Sequence, residues 1–330
     1  MHLPDFPRFP LVQATTPLEP LERLRRHLGG PRLYIKRDDC TGLALGGNKT
    51  RKLEFLIGEA LQTGATAIIS EGGLQSNHVR QTAAAAAKAG LPCHLVLNRN
   101  VPIDKSIYQS SGNLLLDRLL GAVTHMCAEG ETRAARSQTI LAELRSRGEV
   151  AYYIPTGGST GVGALGYAAL MLELLQQAGN LGIAIDRIVV ASSSGGTQAG
   201  LVVGRALAEA DVPILGVDVD GEPDELLAMV QSVACDCAEK VGLHHDLPHG
   251  AFELVRGYAA PGYGLPNPGM IEAVTLLARL EAILLDPVYS GKAMAGLIGM
   301  IRQGRFGHDE TVVFIHTGGV PALFAYADLF

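Results

Sequence analysis

The stretch GGNKTRKLE at residues 46–54 carries most of what this sequence says about its fold. Two glycines and an asparagine precede Lys49, and apolar residues with helical spacing follow it. A planar carbonyl compound can reach a lysine at such a helix start, and the helix N-terminus with Arg51 and Lys52 disfavours its charged form. Lys49 is therefore a candidate Schiff-base lysine, with a solvated surface lysine as the alternative.

A second stretch, SSSGGTQAG at residues 192–200, follows a short apolar run and opens a helical pattern. Its glycines let backbone N–H groups approach an anion, its hydroxyls add donors, and the helix dipole favours negative charge. No lysine follows the last glycine, so it is not a Walker A loop, and the glycine spacing does not fit a dinucleotide fingerprint. We interpret it as a phosphate-binding loop; a capped strand–helix turn is the alternative.

A Schiff-base lysine together with one compact phosphate site points to pyridoxal phosphate. This cofactor is an aldehyde with a single phosphate, so it requires these two features and little else.

Apolar runs and helical periodicity alternate along the chain. Strands are predicted at residues 33–36, 67–70, 93–97, 123–126, 152–155, 187–191, 214–219 and 312–316. Helices are predicted at residues 49–63, 79–89, 112–120, 131–148, 164–179 and 269–281, and from the glycine loop to about residue 210. The alternation predicts an α/β fold with parallel sheets covered on both faces, and ligands then bind beyond the carboxyl ends of the strands.

Composition limits the possible partners. The chain has 330 residues, with 27 basic and 33 acidic ones, and no dense basic run, which argues against nucleic acid. No apolar segment is long enough to span a membrane, and no signal peptide is evident, so we expect a cytoplasmic protein. The five cysteines are scattered. Cys235 and Cys237 form the single close pair and lack a second pair of ligands, so no metal site is expected.

Further candidate residues lie in turns. The segment QSNHVR at residues 75–80 stands between a strand and a helix, where Ser76, Asn77 and His78 suit a substrate carboxylate or a helix cap. Tyr263 and Tyr289 lie in glycine-containing turns, where loop packing is the alternative to catalysis. Thr317 follows the last predicted strand and offers a hydroxyl to a ring nitrogen or caps the chain.

With these motifs in place, the chain resembles the fold-type II, tryptophan-synthase-β-like pyridoxal phosphate enzymes, in particular the group of D-cysteine desulfhydrase, 1-aminocyclopropane-1-carboxylate deaminase and L-cysteate sulfo-lyase. The resemblance spans nearly the whole chain. The motifs that carry it are IKRDD at 35–39, GGNKTRKLEFL at 46–56, QSNHVRQTA at 75–83, SSGGTQAGL at 193–201, LLDPVYSGKAMAGLI at 284–298 and HTGG at 316–319.

The resemblance implies a role for each candidate residue. Lys49 would hold the cofactor and Asn77 would bond the ring hydroxyl. Residues Ser194, Gly195, Gly196 and Thr197 would bind the phosphate, and Thr317 would lie near the pyridine nitrogen. Gln75, Ser76, Asn77 and His78 would bind the substrate carboxylate. Lys49 would act as the base at Cα with Ser76 or a tyrosine as competitor, and Tyr289 or Tyr263 would protonate the leaving group.

The implied fold has two three-layer αβα domains. A large cofactor-binding domain comprises residues 1–48 and 165–330, and a small domain, residues 49–164, is inserted in it. A homodimer is also expected.

The implied reaction is an α,β-elimination on a small amino acid. The cyclopropane deaminases carry glutamate at the ring nitrogen directly after the tyrosine of the DPVY turn, where this chain has Ser290. A hydroxyl holds the ring nitrogen protonated much less than a carboxylate does, so ring opening ranks low. We favour D-cysteine, giving pyruvate, hydrogen sulfide and ammonia. L-Cysteate with sulfite as leaving group is the alternative, and a non-catalytic pyridoxal-phosphate-binding protein ranks last.

Overall fold

The computed structural model describes Leu3, residues 6–243, Leu247 and residues 249–330. Ten strands are found in this part of the chain. They are β1 Leu18–Pro20, β2 Arg32–Arg37, β3 Ala67–Gly73, β4 Cys93–Asn98, β5 Val123–Met126, β6 Ala151–Ile154, β7 Arg187–Ser192, β8 Ile214–Asp218, β9 Glu253–Val255 and β10 Thr311–His316.

Twelve α-helices are found among the same described residues. They are α1 Glu22–Leu28, α2 Lys49–Gln62, α3 Asn77–Ala89, α4 Ser106–Ser110, α5 Gly112–Leu119, α6 Arg133–Ser146, α7 Gly161–Leu181, α8 Gly196–Leu207, α9 Pro223–Lys240, α10 Pro268–Glu281, α11 Ser290–Arg302 and α12 Pro321–Ala325. No helix in the described ranges combines the length and apolar character that a membrane-spanning helix requires.

The strands form two separate sheets. One has six strands in the order β1-β2-β10-β7-β8-β9, and the other has four in the order β5-β4-β3-β6. Strands β1 and β2 pair antiparallel, and all other pairings are parallel. The four-stranded sheet comes entirely from the middle of the chain, as an inserted domain would require; the domain limits at residues 48–49 and 164–165 stay a prediction.

Helices cover both faces of each sheet. The six-stranded sheet packs α1, α10 and α11 on one face, through an apolar cluster that includes Leu24, Leu277 and Leu297. Its other face packs α7 and α8 through a cluster that includes Leu170 and Leu201. The four-stranded sheet is covered by α2 and α3 on one face and by α6 on the other. The predicted α/β class, with parallel-rich three-layer units, is therefore confirmed.

Two long helices were absent from the sequence-based prediction. Helix α9 carries Cys235 and Cys237, and the former is exposed while the latter is buried, because neighbouring positions on a helix point in different directions. Helix α11 follows the DPVY turn, and its glycines weaken the helical signal. A Cβ atom at Gly299 would lie 2.2 Å from the hydroxyl of Tyr258, so close packing requires glycine there.

Candidate active site

One cavity of about 180 Å³ brings together residues from both sheets. Its lining includes ten of the predicted site residues, which are Lys49, Ser76, Asn77, His78, Ser194, Gly195, Thr197, Tyr263, Tyr289 and Thr317. The loops concerned follow the carboxyl ends of β3, β7 and β10. Parallel sheets place such ends together, and this explains why segments distant in sequence meet here.

The loop before Lys49 is shaped by its glycines. Gly46 and Gly47 have φ of 64° and 126°, and a Cβ atom on Gly46 would lie 2.0 Å from the carbonyl oxygen of Asp39. The Asn48 N–H donates to the carbonyl of Thr317 over 3.0 Å, which fixes the loop against the end of β10. Lys49 consequently enters α2 at the cavity wall.

The Lys49 amine is held in a state that favours reaction. Its Nζ donates to Asn48 Oδ1 over 3.2 Å, and Asn48 Nδ2 donates to Thr197 Oγ1 over 2.9 Å. Burial lowers the pKa of Lys49 to about 8; the carboxylate of Asp286 opposes this shift and the guanidinium of Arg80 adds to it. A substantial fraction of the amine is therefore neutral at mildly alkaline pH, as a nucleophile requires.

Arg51 does not contribute to this shift, contrary to the prediction from its proximity in sequence. Its guanidinium points away from the cavity, where Nε donates to Asp38 Oδ2 over 2.9 Å and Nη1 donates to Glu173 Oε2 over 2.9 Å. The guanidinium that lowers the pKa of Lys49 is that of Arg80, from α3. Sequence adjacency is a poor guide here because successive residues of a helix point about 100° apart.

The glycine loop between β7 and α8 presents a set of donors. Gly195 has φ of 76°, and the Gly196 N–H donates to Ser159 Oγ over 3.3 Å. The hydroxyl of Ser159 donates in turn to Ser194 Oγ over 2.9 Å. Ser192 Oγ is buried without a partner among the described residues. Hydroxyl and N–H groups at the start of a helix such as α8 suit a phosphate.

Lys52 lies beside this loop, although the sequence did not predict it as a phosphate-binding residue. Its fully buried ammonium donates to the carbonyl of Gly157 over 3.1 Å, and a Cβ atom on Gly196 would lie 2.8 Å from it. Burial and the charge of Lys49 lower the pKa of Lys52 well below its usual value. A phosphate at the loop would stabilise this buried charge. The signal was available, since Lys49 and Lys52 are three residues apart and share one face of α2.

Ser76 caps α3, since the Val79 N–H approaches its Oγ at 3.4 Å. The next residue, Asn77, has its amide oriented by a chain of bonds: Arg80 Nε donates to Asn113 Oδ1 over 3.0 Å, and Asn113 Nδ2 donates to Asn77 Oδ1 over 2.8 Å. An arginine can only donate, so this chain assigns the Asn77 Nδ2 donor to the cavity. Such a donor suits a ring hydroxyl.

His78 and Gln75, both predicted to bind substrate, differ in their placement. Nε2 of His78 lies 2.9 Å from Ser70 Oγ, and Nδ1 is buried without a partner among the described residues. Burial, then the charges of Lys49 and Lys52, lower the pKa of His78 well below its usual value, so the ring is neutral. Gln75 lies outside the lining of this cavity, and its Nε2 donates to the carbonyls of Tyr108 and Ser111 over 2.7 and 2.9 Å. It supports the loop.

Tyr263 and Tyr289 meet at the cavity wall. Their hydroxyls are in hydrogen-bond contact, and their rings pack edge to face with centroids 5.8 Å apart. Burial raises the pKa of both phenols, so each stays protonated and able to donate.

The DPVY turn places Ser290 behind the cavity wall. Ser290 Oγ donates to Asp286 Oδ1 over 2.6 Å and lies 3.4 Å from the carbonyl oxygen of Gly318. Ser290 does not line the cavity, whereas Thr317 does. We therefore expect Thr317, and not Ser290, to supply the hydroxyl that faces a cofactor ring nitrogen.

Four further polar residues of the cavity were not identified from the sequence. They are Asn100 after β4, Thr156 in the turn after β6, Asp220 in the loop after β8 and Arg133 in the first turn of α6. Asp220 Oδ2 accepts a hydrogen bond from Ser193 Oγ over 3.0 Å. Among the described residues, no group of three or more histidine, cysteine or acidic side chains has the arrangement of a metal site.

These residues fit pyridoxal phosphate. The buried ammonium of Lys52 beside the glycine loop suits its phosphate, the free donor of Asn77 suits its ring hydroxyl, and the amine of Lys49 suits its aldehyde. All of these groups belong to a single cavity or its immediate wall.

Comparison with known proteins gives a consistent result. The family model described as "Pyridoxal-phosphate dependent enzyme" matches residues 10–318. The chain is 47% identical over 325 residues to D-cysteine desulfhydrase of Salmonella choleraesuis (strain SC-B67), covering 98% of each chain. It is 44% identical over 335 residues to 1-aminocyclopropane-1-carboxylate deaminase of Burkholderia vietnamiensis (strain G4 / LMG 22486), covering 100% of this chain and 99% of that one.

A solved structure is similarly close. The crystal structure of a homologue of 1-aminocyclopropane-1-carboxylate deaminase superposes with a TM-score of 0.89 at 36% identity, covering 98% of this chain and 95% of that one.

Proposed function

Because this chain belongs to the family of pyridoxal-phosphate-dependent enzymes, we propose that it catalyses the α,β-elimination of D-cysteine. With one water consumed, the products are pyruvate, hydrogen sulfide and ammonia. The observation that carries the proposal is the cavity itself, in which a lysine with a lowered pKa lies with the glycine loop before α8 and the start of α3. The name of the D-cysteine desulfhydrase relative, which covers nearly the whole chain, supports the choice of substrate.

The bound cofactor supplies an aldehyde that bonds the substrate amine and a ring that accepts the electron pair left at Cα. The protein supplies the binding groups. Lys52 and the loop from Ser194 to Thr197 hold the phosphate, and the start of α3, with Ser76, receives the substrate carboxylate. His78, whose ring is neutral, lines the same cavity.

Two proton transfers then fall to residues of this cavity. Lys49 Nζ removes the Cα proton, since its lowered pKa leaves a neutral amine available; Ser76 Oγ is the competing base. The phenol of Tyr289 or Tyr263 donates a proton to the departing sulfur, since the raised pKa values keep both phenols protonated. The C–S bond breaks with its electron pair on sulfur.

The experiment is an assay of 2-oxo acid release by the cofactor-loaded protein from D-cysteine, L-cysteate, 3-chloro-D-alanine and 1-aminocyclopropane-1-carboxylate. We expect D-cysteine and 3-chloro-D-alanine to be turned over, and Lys49→Ala to abolish turnover and the cofactor absorbance typical of a lysine adduct. The matched control is Lys88→Ala, an exposed lysine of α3, which should keep full activity. Absence of any 2-oxo acid release from all four compounds would overturn the proposal.

We also propose a homodimer. Five large apolar side chains are exposed on or beside the mutually packed helices α4, α5 and α12: Ile107, Leu115, Leu119, Phe324 and Phe330. Leu119 is 72% exposed and Phe324 60%, which is costly in water for neighbouring side chains. Burial against a second copy would remove that cost.

Sedimentation analysis should give twice the chain mass, and Leu119→Asp should shift the protein towards monomer. A cytoplasmic location stays a prediction.

A further inference from the structure

The charges that line the cavity are few. Among the described residues, Lys49 and Arg133 are its lysine and arginine side chains, and Asp220 is its carboxylate. The neutral ring of His78 adds no charge, because burial lowers its pKa. The cavity must hold an anionic cofactor and an amino acid. The question is therefore which anion each of these two side chains binds.

Arg133 enters the cavity from the four-stranded side. It is the first residue of α6, directly after the Thr132 cap, and is half-buried. Its charge contributes to the lowering of the His78 pKa and opposes the rise in the Asp220 pKa. The guanidinium therefore influences a residue of α3 and a residue of the loop after β8. No hydrogen bond or ion pair of its guanidinium is found with the residues that the structure describes. A half-buried guanidinium without a partner is available to a ligand.

The other anions of the reaction already have binding groups. The phosphate has the loop from Ser194 to Thr197 and the buried ammonium of Lys52. The substrate carboxylate has the N-terminus of α3 with Ser76 and Asn77. The group that remains without a charged partner is the substituent on Cβ of the substrate.

We propose that Arg133 is a specificity-determining residue that binds a negatively charged substituent on Cβ of the substrate, a thiolate or a sulfonate. This inference rests on the proposed function, because it concerns the leaving group of that elimination. The guanidinium offers several donors in a planar fork, which suits an anion with more than one oxygen and also a single sulfur anion. As the C–S bond breaks, the same donors stabilise the charge that develops on sulfur.

The first test measures binding without turnover. The cofactor-loaded protein and its Arg133→Gln variant are titrated with D-alanine and D-aspartate, and with the L-forms, while the absorbance of the cofactor is followed. Neither amino acid has a β-substituent that can leave as sulfide or sulfite does. We expect the dissociation constant for aspartate to rise about 10- to 100-fold in the variant, the range of a lost charged hydrogen bond, and that for alanine to change less than about twofold.

Three outcomes would overturn the proposal. Equal weakening of alanine and aspartate would assign Arg133 to the carboxylate that both share. Weaker binding of pyridoxal phosphate itself would assign it to the phosphate. No change for either amino acid would remove it from substrate binding. Arg133→Lys should recover part of the aspartate affinity, because the charge returns without the fork.

The control is Arg136→Gln, which makes the same change of charge one turn further along α6. Arg136 does not line the cavity and should leave both dissociation constants unchanged. Turnover then separates the two leaving groups: the larger drop in kcat/KM of Arg133→Gln, on D-cysteine or on L-cysteate, identifies the anion that Arg133 serves. If the unaltered protein releases no 2-oxo acid, the proposed function fails. The binding titration still decides whether Arg133 binds a negatively charged substituent on Cβ.

Discussion

The amine of Lys49 lies under the influence of two opposite charges, the Asp286 carboxylate and the Arg80 guanidinium. Burial has the larger effect and lowers the pKa of Lys49 to about 8, against an ordinary value of 10.5. The neutral form is the nucleophile, and its fraction rises as the pH passes through the pKa.

A pH dependence follows. The rate at which the cofactor-free protein recovers the lysine-adduct absorbance on addition of pyridoxal phosphate should rise with pH and level off above a midpoint near 8. Stopped-flow absorbance between pH 6.5 and 10 measures it. A midpoint close to 10 would mean that the amine is solvated as an ordinary surface lysine is.

At the scale of single residues, the sequence predicted side chains that stand directly in motif loops. Lys49, Ser76, Asn77, the glycine loop and Thr317 all border the cavity. It did not predict Arg133 and Asp220, because no local pattern surrounds them and only the meeting of two sheets brings them to the cavity. The direction of the Arg51 side chain was wrong for a related reason, since long-range partners decide where a buried charge points.

Among the elements, helix α11 begins on an unusual cap. The fully buried carboxylate of Asp286 accepts hydrogen bonds from the N–H groups of Val288, Tyr289 and Ser290 over 2.9, 2.9 and 2.7 Å. The Ser290 hydroxyl donates to the same carboxylate over 2.6 Å. One side chain therefore satisfies the N–H groups of the turn before α11 and of the first residue of that helix, and it fixes Tyr289 at the cavity wall.

Asp286→Asn tests this cap. An amide NH2 group would face an N–H donor in place of a carboxylate oxygen, so we expect a loss of about 1–3 kcal/mol in the free energy of unfolding. Removal of the charge that raises the Lys49 pKa should also move the reconstitution midpoint below 8. Asp224→Asn, at the exposed start of α9, is the control and should change stability by less than about 1 kcal/mol. Unchanged stability and midpoint would contradict the role.

Element predictions succeeded where periodicity was strong and failed where sequence signals conflicted. Helix α2 was expected at residues 49–63 and is found at Lys49–Gln62. Helix α9 was missed even though Pro223 and two acidic residues mark its first turn. Helix α11 was missed because its glycines allow close packing against Val217 and Tyr258, and the amino-acid sequence alone does not reveal these contacts.

For the whole molecule, a buried network of charges joins the lysine helix to the six-stranded sheet. Arg51 of α2 pairs with Asp38 after β2 and with Glu173 of α7. Tyr167 donates to Asp38 Oδ2 over 2.6 Å, and Lys36 also pairs with Glu173. The pairing keeps buried charges compensated, and the pKa of Glu173 is lowered because Arg51 and Lys36 outweigh its burial.

Arg51→Met should therefore be strongly destabilising. The substitution leaves the Asp38 carboxylate buried without its cation, which costs about 3–5 kcal/mol. Denaturant unfolding followed by circular dichroism measures the loss. Arg302→Met, which breaks the exposed pair with Glu272, is the matched control and should cost no more than about 1 kcal/mol. Similar losses in the two variants would show that the network does not stabilise the fold.

The position of β10 between β2 and β7 has a consequence for synthesis on the ribosome. The six-stranded sheet lacks its middle strand until residues 311–316 have emerged, and the loop before Lys49 lacks the Thr317 carbonyl that anchors it. The four-stranded sheet has no such dependence, because its strands are contiguous in the chain. The nascent chain thus completes its smaller sheet early. The loop before Lys49 gains its anchor only after residue 317 has emerged.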